Sequence, residues 1–537
     1  MNKKPIKFND ASRLTEEPIA PYKTEDLMKL PFIEEEPPIE PPKEKWLENY
    51  DFSLDGHTDF DIPKPKSEEE KQGLVTKFLS GLKKLFDYQN NWTFGKIFKL
   101  SMDYCVGCQT CSEACHTYIA SGRQEIYRPT FRSEILRRIY KRNFTPSGKL
   151  LKSFVGADVE LNYKTVWRLL ELSYRCNVCR RCAQYCPVGI DNALIAREIR
   201  KLFSEEMGIA PSELLKKGTR QHIKTGSSTG MTTPAFKSLI EYIEEDIQER
   251  TGRKIKIPVD KKGADILLIH NAGEFLAWPD NPAAYAILFD AAGINYTLSS
   301  ESFGYDSVNY GLWFDDVEAA RIGLKHLKIA KELAVKKIVV GECGHAHKSF
   351  CVILDRMLPG EFSIPDIPRE SCIPLMWEIV KSGRIKFNPE RNNYPFTLHD
   401  SCNIVRLMGI VQPQRKILKA VCSQPIREMT PNGVKNYCCG GGSGFAIMNT
   451  LNFSQFRKKV SERMKVKQVI EAFSDVLSPN INKMVVTTCS NCKGAMRDAI
   501  GHYELWDKYR ILYTGLAEVI VNAMADIPPF LKWEFEK

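Results

Sequence analysis

The residues in this chain that can do chemistry are its cysteines, 17 of them in 537 residues, most of them in tight groups. Cys105, Cys108, Cys111 and Cys115 form C-x2-C-x2-C-x3-C, and Cys176, Cys179, Cys182 and Cys186 repeat the spacing, with Pro187 after the last. Three thiolates on one tight loop reach three irons of a cubane cluster, and the fourth points away to ligate the other cluster. The spacing therefore assigns Cys105, Cys108, Cys111 and Cys186 to one 4Fe–4S cluster. The other takes Cys176, Cys179, Cys182 and Cys115. Structural zinc also favours four cysteines, but eight at this spacing, given twice, point to iron and sulfide.

A third set, Cys402, Cys438-Cys439-Gly440 and Cys489-x2-Cys492, reads C-x35-CCG-x48-C-x2-C. Adjacent cysteines do not easily ligate one tetrahedral ion, but they can bridge neighbouring irons of an opened cluster. Gly440, Gly441, Gly442 and Gly444 let the backbone pass close to a bulky cofactor. Neither a phosphate loop nor a dinucleotide fingerprint is satisfied. His399, Asp400 and Lys493 flank the set and are placed to supply protons or hold substrate, with a structural hydrogen bond as the plainer role for each. Cys343 with His345 and His347 reads either as a zinc site or as a relic facing the active cleft. Cys351, Cys372 and Cys422 have no partner at ligand spacing and read as buried structural thiols.

The elements that must position these groups divide the chain. Residues 1–90 read as an extended arm rich in Pro and acid, closed by a short amphipathic helix with Leu74, Phe78, Leu82 and Phe86 at helical spacing. Such a composition does not build a core of its own, and its functional reading is a strap that orders along partner subunits. Residues 91–205 read as a helical domain around the two clusters, with helices from Arg132 to Arg142 and from Tyr163 to Tyr174. Residues 206–262 read as a helical linker with a Gly/Ser/Thr-rich break at Thr225–Thr233. From 263 onward strands alternate with helices. Asp265–His270 and Lys336–Gly341 read as buried parallel strands with helices near 281–292 and 316–334, followed by strands at Pro395–His399 and Lys483–Thr487. The two rounds align: His270-Asn271-Ala272-Gly273 falls on His399-Asp400-Ser401-Cys402, Cys343 on Cys489, and Asn309-Tyr310-Gly311 on Cys438-Cys439-Gly440. The fold class is therefore α+β and multidomain, with a degenerate repeat over 263–393 and an intact one over 394–537.

The net charge of +10 hides an asymmetry: residues 1–70 carry 10 Lys/Arg against 18 Asp/Glu, a net of −8, so the rest carries +18. A basic body suits an acidic protein partner or a membrane surface. No Arg-rich recognition helix or aromatic-basic module points to nucleic acid. No run of about 18 apolar residues is present, and the start MNKKPIKFND lacks the apolar stretch of a secretory signal. The expectation is a cytoplasmic chain that docks peripherally.

The order of two four-cysteine runs followed by a CCG motif, over residues 100–495, resembles the heterodisulfide reductase D subunit-like family. Within that family it resembles the DsrK/HmeD group of sulfite-reduction-associated DsrMKJOP-type membrane complexes. The resemblance implies a noncubane 4Fe–4S cluster held by Cys402, Cys438, Cys439, Cys489 and Cys492 as the catalytic centre. It further implies electrons from a quinol-oxidising cytochrome b partner, passage through two cubanes, and reduction of a disulfide or of the trisulfide of the small sulfur carrier DsrC. The chain departs from the family in its longer gap between CCG and the last cysteine pair, in His116 where proline usually follows the fourth Cys, and in a first repeat that keeps only Cys343, for which no second noncubane cluster is expected. Two other functions remain open at this point. One is a non-catalytic relay for a flavin dehydrogenase of glycolate, lactate or glycerol 3-phosphate. The other is a zinc-structured scaffold.

Overall fold

The computed structural model describes residues 14–357 and 367–535; residues 1–13, the start of the arm, lie outside the described residues. The chain forms two compact units. The first comprises Met1–Leu214, Trp313–Asp315 and Gly440–Lys467, and the second Leu215–Leu312, Asp316–Cys439 and Gln468–Lys537.

The first unit is helical. Ser67 opens Glu68–Leu85 with a capping box: its hydroxyl accepts from Glu70 N at 3.1 Å while the Glu70 carboxylate accepts from Ser67 N. Glutamates fill the first turn and lysines the last, each the favourable sign for the helix dipole, and Leu74, Phe78 and Leu82 are buried on one face. Pro129 starts Pro129–Phe144 at a position where its missing N–H costs nothing, and Asn162 caps Tyr163–Ser173. The insert between the two cysteine runs is helical, as its pattern predicts.

The described part of the arm differs from the partner-strap reading, because it packs along its own chain. Arg168 donates to the carbonyls of Thr15, Glu16, Glu17 and Phe52 and pairs with Glu171. Arg175 pairs with Asp55 at 3.0 Å, both fully buried. Glu36 pairs with Arg463, and Lys459 donates to Pro37 O. The acidic arm thus meets part of the basic excess of the same chain. Its prolines prevent a ladder of backbone bonds, so side chains of the body satisfy its carbonyls instead.

The second unit holds two all-parallel sheets. Strands β1 (Ile266–Ile269), β2 (Tyr296–Thr297), β3 (Lys337–Val340) and β4 (Arg369–Ser371) lie in the order β2-β1-β3-β4; β5 (Phe396–His399), β6 (Lys483–Thr487) and β7 (Ile511–Gly515) lie as β5-β6-β7. Register sets Ile266 opposite Lys337 and Phe396 opposite Met484. The run β1-β3-β4 repeats β5-β6-β7, which is the internal repeat seen in the sequence. Strands covered on both faces read as unbroken apolar runs, hence DILLIH and KMVVT. The repeats share one core: Leu268 and Val339 belong to the same apolar cluster as Leu398, Val486 and Leu512. The Gly/Ser/Thr-rich stretch read as a linker is instead bonded into this unit, where Ser228 donates twice to Asp306 at 2.7 Å and Thr232 caps Thr233–Thr251. Among the described residues no helix is long and apolar enough to cross a membrane.

Candidate iron–sulfur centres

In the first unit the two C-x2-C-x2-C turns follow one backbone path. The residue before each middle cysteine is left-handed (Gly107, φ 68°; Val178, φ 49°), and so is the residue after it (Gln109, 63°; Arg180, 61°). A β-branched residue at positive φ is costly, and its presence at the same place in the path suits a loop that wraps three thiols around one object. Short helices Thr110–Ala114 and Arg181–Tyr185 follow and pack on each other, carrying Cys115 and Cys186 out at their ends. Burial, then the charges of Cys115, Cys105, Cys186 and Cys108, pushes the Cys111 thiol up to about 12. Burial pushes Cys115 up to about 11, with Arg132 opposing and Cys176 and Cys179 adding. The fourth cysteine of each run therefore lies among thiols of the other. Cys108 is exposed, while Cys111 and Cys182 are buried.

Buried cations lie beside these loops, Arg132 near Cys115 and Arg200 on Cys176 O, and the pattern-based reading missed them. Arg132, Arg197 and Arg200 are almost wholly enclosed. Arg200 donates to Ser173 O and Cys176 O, both at 2.6 Å, and lies over the Tyr174 ring. Four thiolates around an iron–sulfur core leave net negative charge, which a buried guanidinium offsets. Arginines recurring on the apolar face of Asn192–Lys201 were the available signal.

His116, at the proline position, has a role. Its Nε2 donates to Asn177 Oδ1 at 2.7 Å, and the Asn177 amide donates to Gly440 O (2.7 Å) and Gly442 O (3.2 Å). Ser461 Oγ donates to Asn177 Oδ1 at 2.8 Å and to Gly440 O at 3.0 Å. One network thus joins the residues following Cys115 and Cys176 to the glycine turn that follows CCG.

In the second unit the ends of β5 and β6 bring the third set together. The donor atoms of His399, Cys439 and Cys492, all buried, lie within 4.8 Å of one another. Cys439 has Cys438, Cys492 and His399 as hydrogen-bonding neighbours, which hold its thiol well below the usual range, and Cys492 has Cys439 and Cys489. Ser401 Oγ donates to Cys492 Sγ at 3.7 Å, and Cys402, half-exposed, follows Ser401 in the chain. Four buried thiols linked in a chain of contacts, Cys438 to Cys439 to Cys492 to Cys489, beside an imidazole, form a soft donor set that fits an iron–sulfur cluster.

The neighbours sort themselves. Asp400 is structural: both its oxygens accept from Arg415 (2.8 and 2.7 Å), and Oδ2 also accepts from Gly433 N. Lys493 is buried and paired with Glu518. His399 alone of the three faces the thiols. The zinc reading for the first repeat does not hold, because His347 uses both nitrogens on Cys343 O and Ser371 Oγ, at 2.8 Å each. Cys343 and its turn face the intact set: Gly344 N donates to Cys489 Sγ at 3.1 Å, and Asn271 Nδ2 bridges Cys343 Sγ and Ser490 Oγ. Cys372 and Cys422 are core thiols, and Cys351 packs half-buried against a second apolar cluster.

Comparison with known proteins places the same two modules in the same order. Residues 101–190 match the 4Fe-4S dicluster domain, and residues 396–497 match the cysteine-rich domain designated CCG. The chain is 28% identical over 462 residues to the Hdr-like menaquinol oxidoreductase iron-sulfur subunit 2 of Archaeoglobus fulgidus, covering 80% of each chain. It is 24% identical to the D subunit of the dihydromethanophenazine:CoB--CoM heterodisulfide reductase of Methanosarcina acetivorans, over 74% of this chain and 89% of that one. To the EtfAB:quinone oxidoreductase of Syntrophomonas wolfei it is 23% identical, over 82% of this chain and 60% of that one. A dicluster domain ahead of a CCG domain, with relatives matched along most of the chain's length, supports a place for it among the heterodisulfide reductase D subunit-like, DsrK/HmeD-like iron–sulfur proteins.

Proposed function

We propose that this chain is the catalytic iron–sulfur subunit of a membrane-associated redox complex that reduces a disulfide or trisulfide. Two cubanes on the eight ferredoxin-type cysteines would carry electrons, and a noncubane 4Fe–4S cluster on Cys402, Cys438, Cys439, Cys489 and Cys492 would be the reducing centre. The donor is a quinol-oxidising cytochrome b subunit, the acceptor is the trisulfide of a DsrC-like carrier, and the chain sits peripherally on the cytoplasmic face. The observation that carries the reading is the convergence of Cys438, Cys439, Cys489, Cys492 and His399 at one buried point.

When bound, the clusters supply one-electron transfer and, at the CCG site, a soft metal with affinity for the sulfurs of a cleaved S–S bond. The chain's own residues do the rest. Cys108, exposed, leaves the edge of one four-cysteine loop open to a donor. Gly344 N–H and Ser401 Oγ each place a hydrogen bond on a cluster thiolate, drawing off negative charge. Each S–S bond cleaved takes up two electrons and two protons and yields two thiols. His399, beside Cys439 and Cys492, is a side chain that can hold a proton there.

Cys438→Ser tests the assignment. Loss of the third cluster's EPR signal and of disulfide reduction, with both cubane signals intact, is the expected result; retention of that signal refutes it. The likeness to the EtfAB:quinone oxidoreductase favours a second reading, in which the chain only relays electrons between a flavoprotein and quinone. In that case quinone reduction by the purified complex would proceed with a flavoprotein present and without any disulfide substrate.

A further inference from the structure

The helical insert between the two cysteine runs ends in a turn that turns its large apolar side chains outward. Leu150 is 81% exposed, Leu151 46% and Phe154 93%, all within five residues. Apolar side chains gathered in water on one short segment mark a contact surface. The turn is not loose chain. Thr145 Oγ1 accepts from Gly148 N at 3.1 Å and donates to Lys141 O at 2.8 Å. Gly148 sits so close to that carbonyl that a Cβ would stand 2.0 Å from it. Lys141 Nζ donates to Val155 O at 3.2 Å, and Arg138 Nη1 to Asp158 O at 3.3 Å. Pro146–Leu151 and the turn Lys152–Val155 are therefore clamped to Pro129–Phe144, with the apolar tip held away from the body.

The charge along the insert, from residue 135 to residue 157, has one sign. No Asp or Glu lies between Glu134 and Asp158, and Arg142, Lys149 and Lys152 are exposed beside the apolar residues. A projecting apolar tip with a cationic collar complements a layer of anionic headgroups above acyl chains. A protein groove would ask for a mixed polar rim instead.

We infer that residues 146–155 form a lipid-contacting tip: Leu150, Leu151 and Phe154 enter the headgroup boundary of an anionic bilayer, and Arg142, Lys149 and Lys152 meet its phosphates. The inference rests on the membrane-peripheral part of the function proposed above and is independent of the redox chemistry. Three side chains give a reversible anchor, one that orients the subunit and adds to its hold on a partner.

The test is flotation of the cluster-loaded full chain with vesicles of phosphatidylcholine, with and without phosphatidylglycerol. Binding is expected only where phosphatidylglycerol is present, weakening as salt is raised. The double variant Leu150→Ser, Phe154→Ser should lower partition at least about tenfold, and Lys149→Glu with Lys152→Glu should lower it too. Cluster absorbance and EPR should be unchanged in both, which shows that the variants are folded. Absence of flotation, or equal flotation of the serine variant, overturns the inference. So does a serine variant that floats normally but no longer co-purifies with a membrane subunit, because the tip would then be a protein seat. None of these outcomes moves the Cys438→Ser result, so the two readings fail separately.

Discussion

Glu342 offers the sharpest test of how the second unit handles buried charge. It is fully enclosed, one residue before Cys343. Its carboxylate accepts from Leu516 N at 2.9 Å and Ala517 N at 2.7 Å, at the start of Leu516–Asn522. Burial pushes its pKa up to about 8 from the usual 4.5; Lys493 and the two N–H groups pull it down, and Glu518 adds to the rise. Lys493 is held charged against Glu518, so the buried trio is neutral when Glu342 keeps its proton. The sign follows from linkage. Between pH 4.5 and 8 the folded chain holds a proton that the unfolded chain has released, so this group's stabilisation is full below pH 4.5 and is lost as pH rises through 8. At 1.36 kcal/mol per unit, the loss between pH 6 and pH 9 is about 3 kcal/mol. Glu342→Gln keeps a neutral acceptor in place and removes the proton. Denaturant unfolding of wild type and variant, at both pH values and followed by cluster absorbance, should show wild type losing about 3 kcal/mol more than the variant over that interval. Equal slopes would sink the argument, because they would mean that the two N–H bonds keep Glu342 ionised throughout.

The other expectations concern the scaffold. Arg168→Met strands the buried Glu171 carboxylate and frees the carbonyls of Thr15, Glu16 and Glu17; a loss of about 3–5 kcal/mol and new protease cuts within residues 14–60 should follow, and an unchanged digestion pattern would count against the arm as an intrachain strap. Asp400→Asn removes the bidentate partner of Arg415 while Glu428 still holds that guanidinium, so we expect about 2–3 kcal/mol of destabilisation with the ferredoxin-type EPR signals unaltered. Gly440 has φ +92°, and a Cβ there would stand 2.4 Å from Glu462 Cγ and 2.7 Å from its backbone. Gly440→Ala should therefore cost about 2 kcal/mol or more and weaken the EPR signal of the proposed CCG-site cluster before those of the proposed cubanes; intact spectra would show that the turn can yield.

What the sequence by itself determined were the features with a short-range physical cause. Metal-ligand spacing is local, so the eight ferredoxin-type cysteines and the CCG set were legible as chemistry before any fold was known. The buried parallel strands were legible because a strand covered on both faces is apolar throughout, as in Ile266–Ile269 and Lys483–Thr487. β2 and β4, two and three residues long, carry no period to read, and β7 is not among the strands that the pattern names.

Only the tertiary structure decided how distant groups pair. Charge composition marked the arm as acidic and unable to fold alone. That it folds onto its own chain depends on Arg168, Arg175 and Arg463, which are far from it in sequence. Residue type offered His399, Asp400 and Lys493 as equals, yet Arg415 and Glu518 engage two of them and leave the histidine beside the thiols. The degenerate repeat looked like a remnant, but it places Gly344 N–H on Cys489. A hydrogen bond between residues separated by more than a hundred positions has no signature in either neighbourhood, because its geometry exists only once both sheets have packed on their shared core.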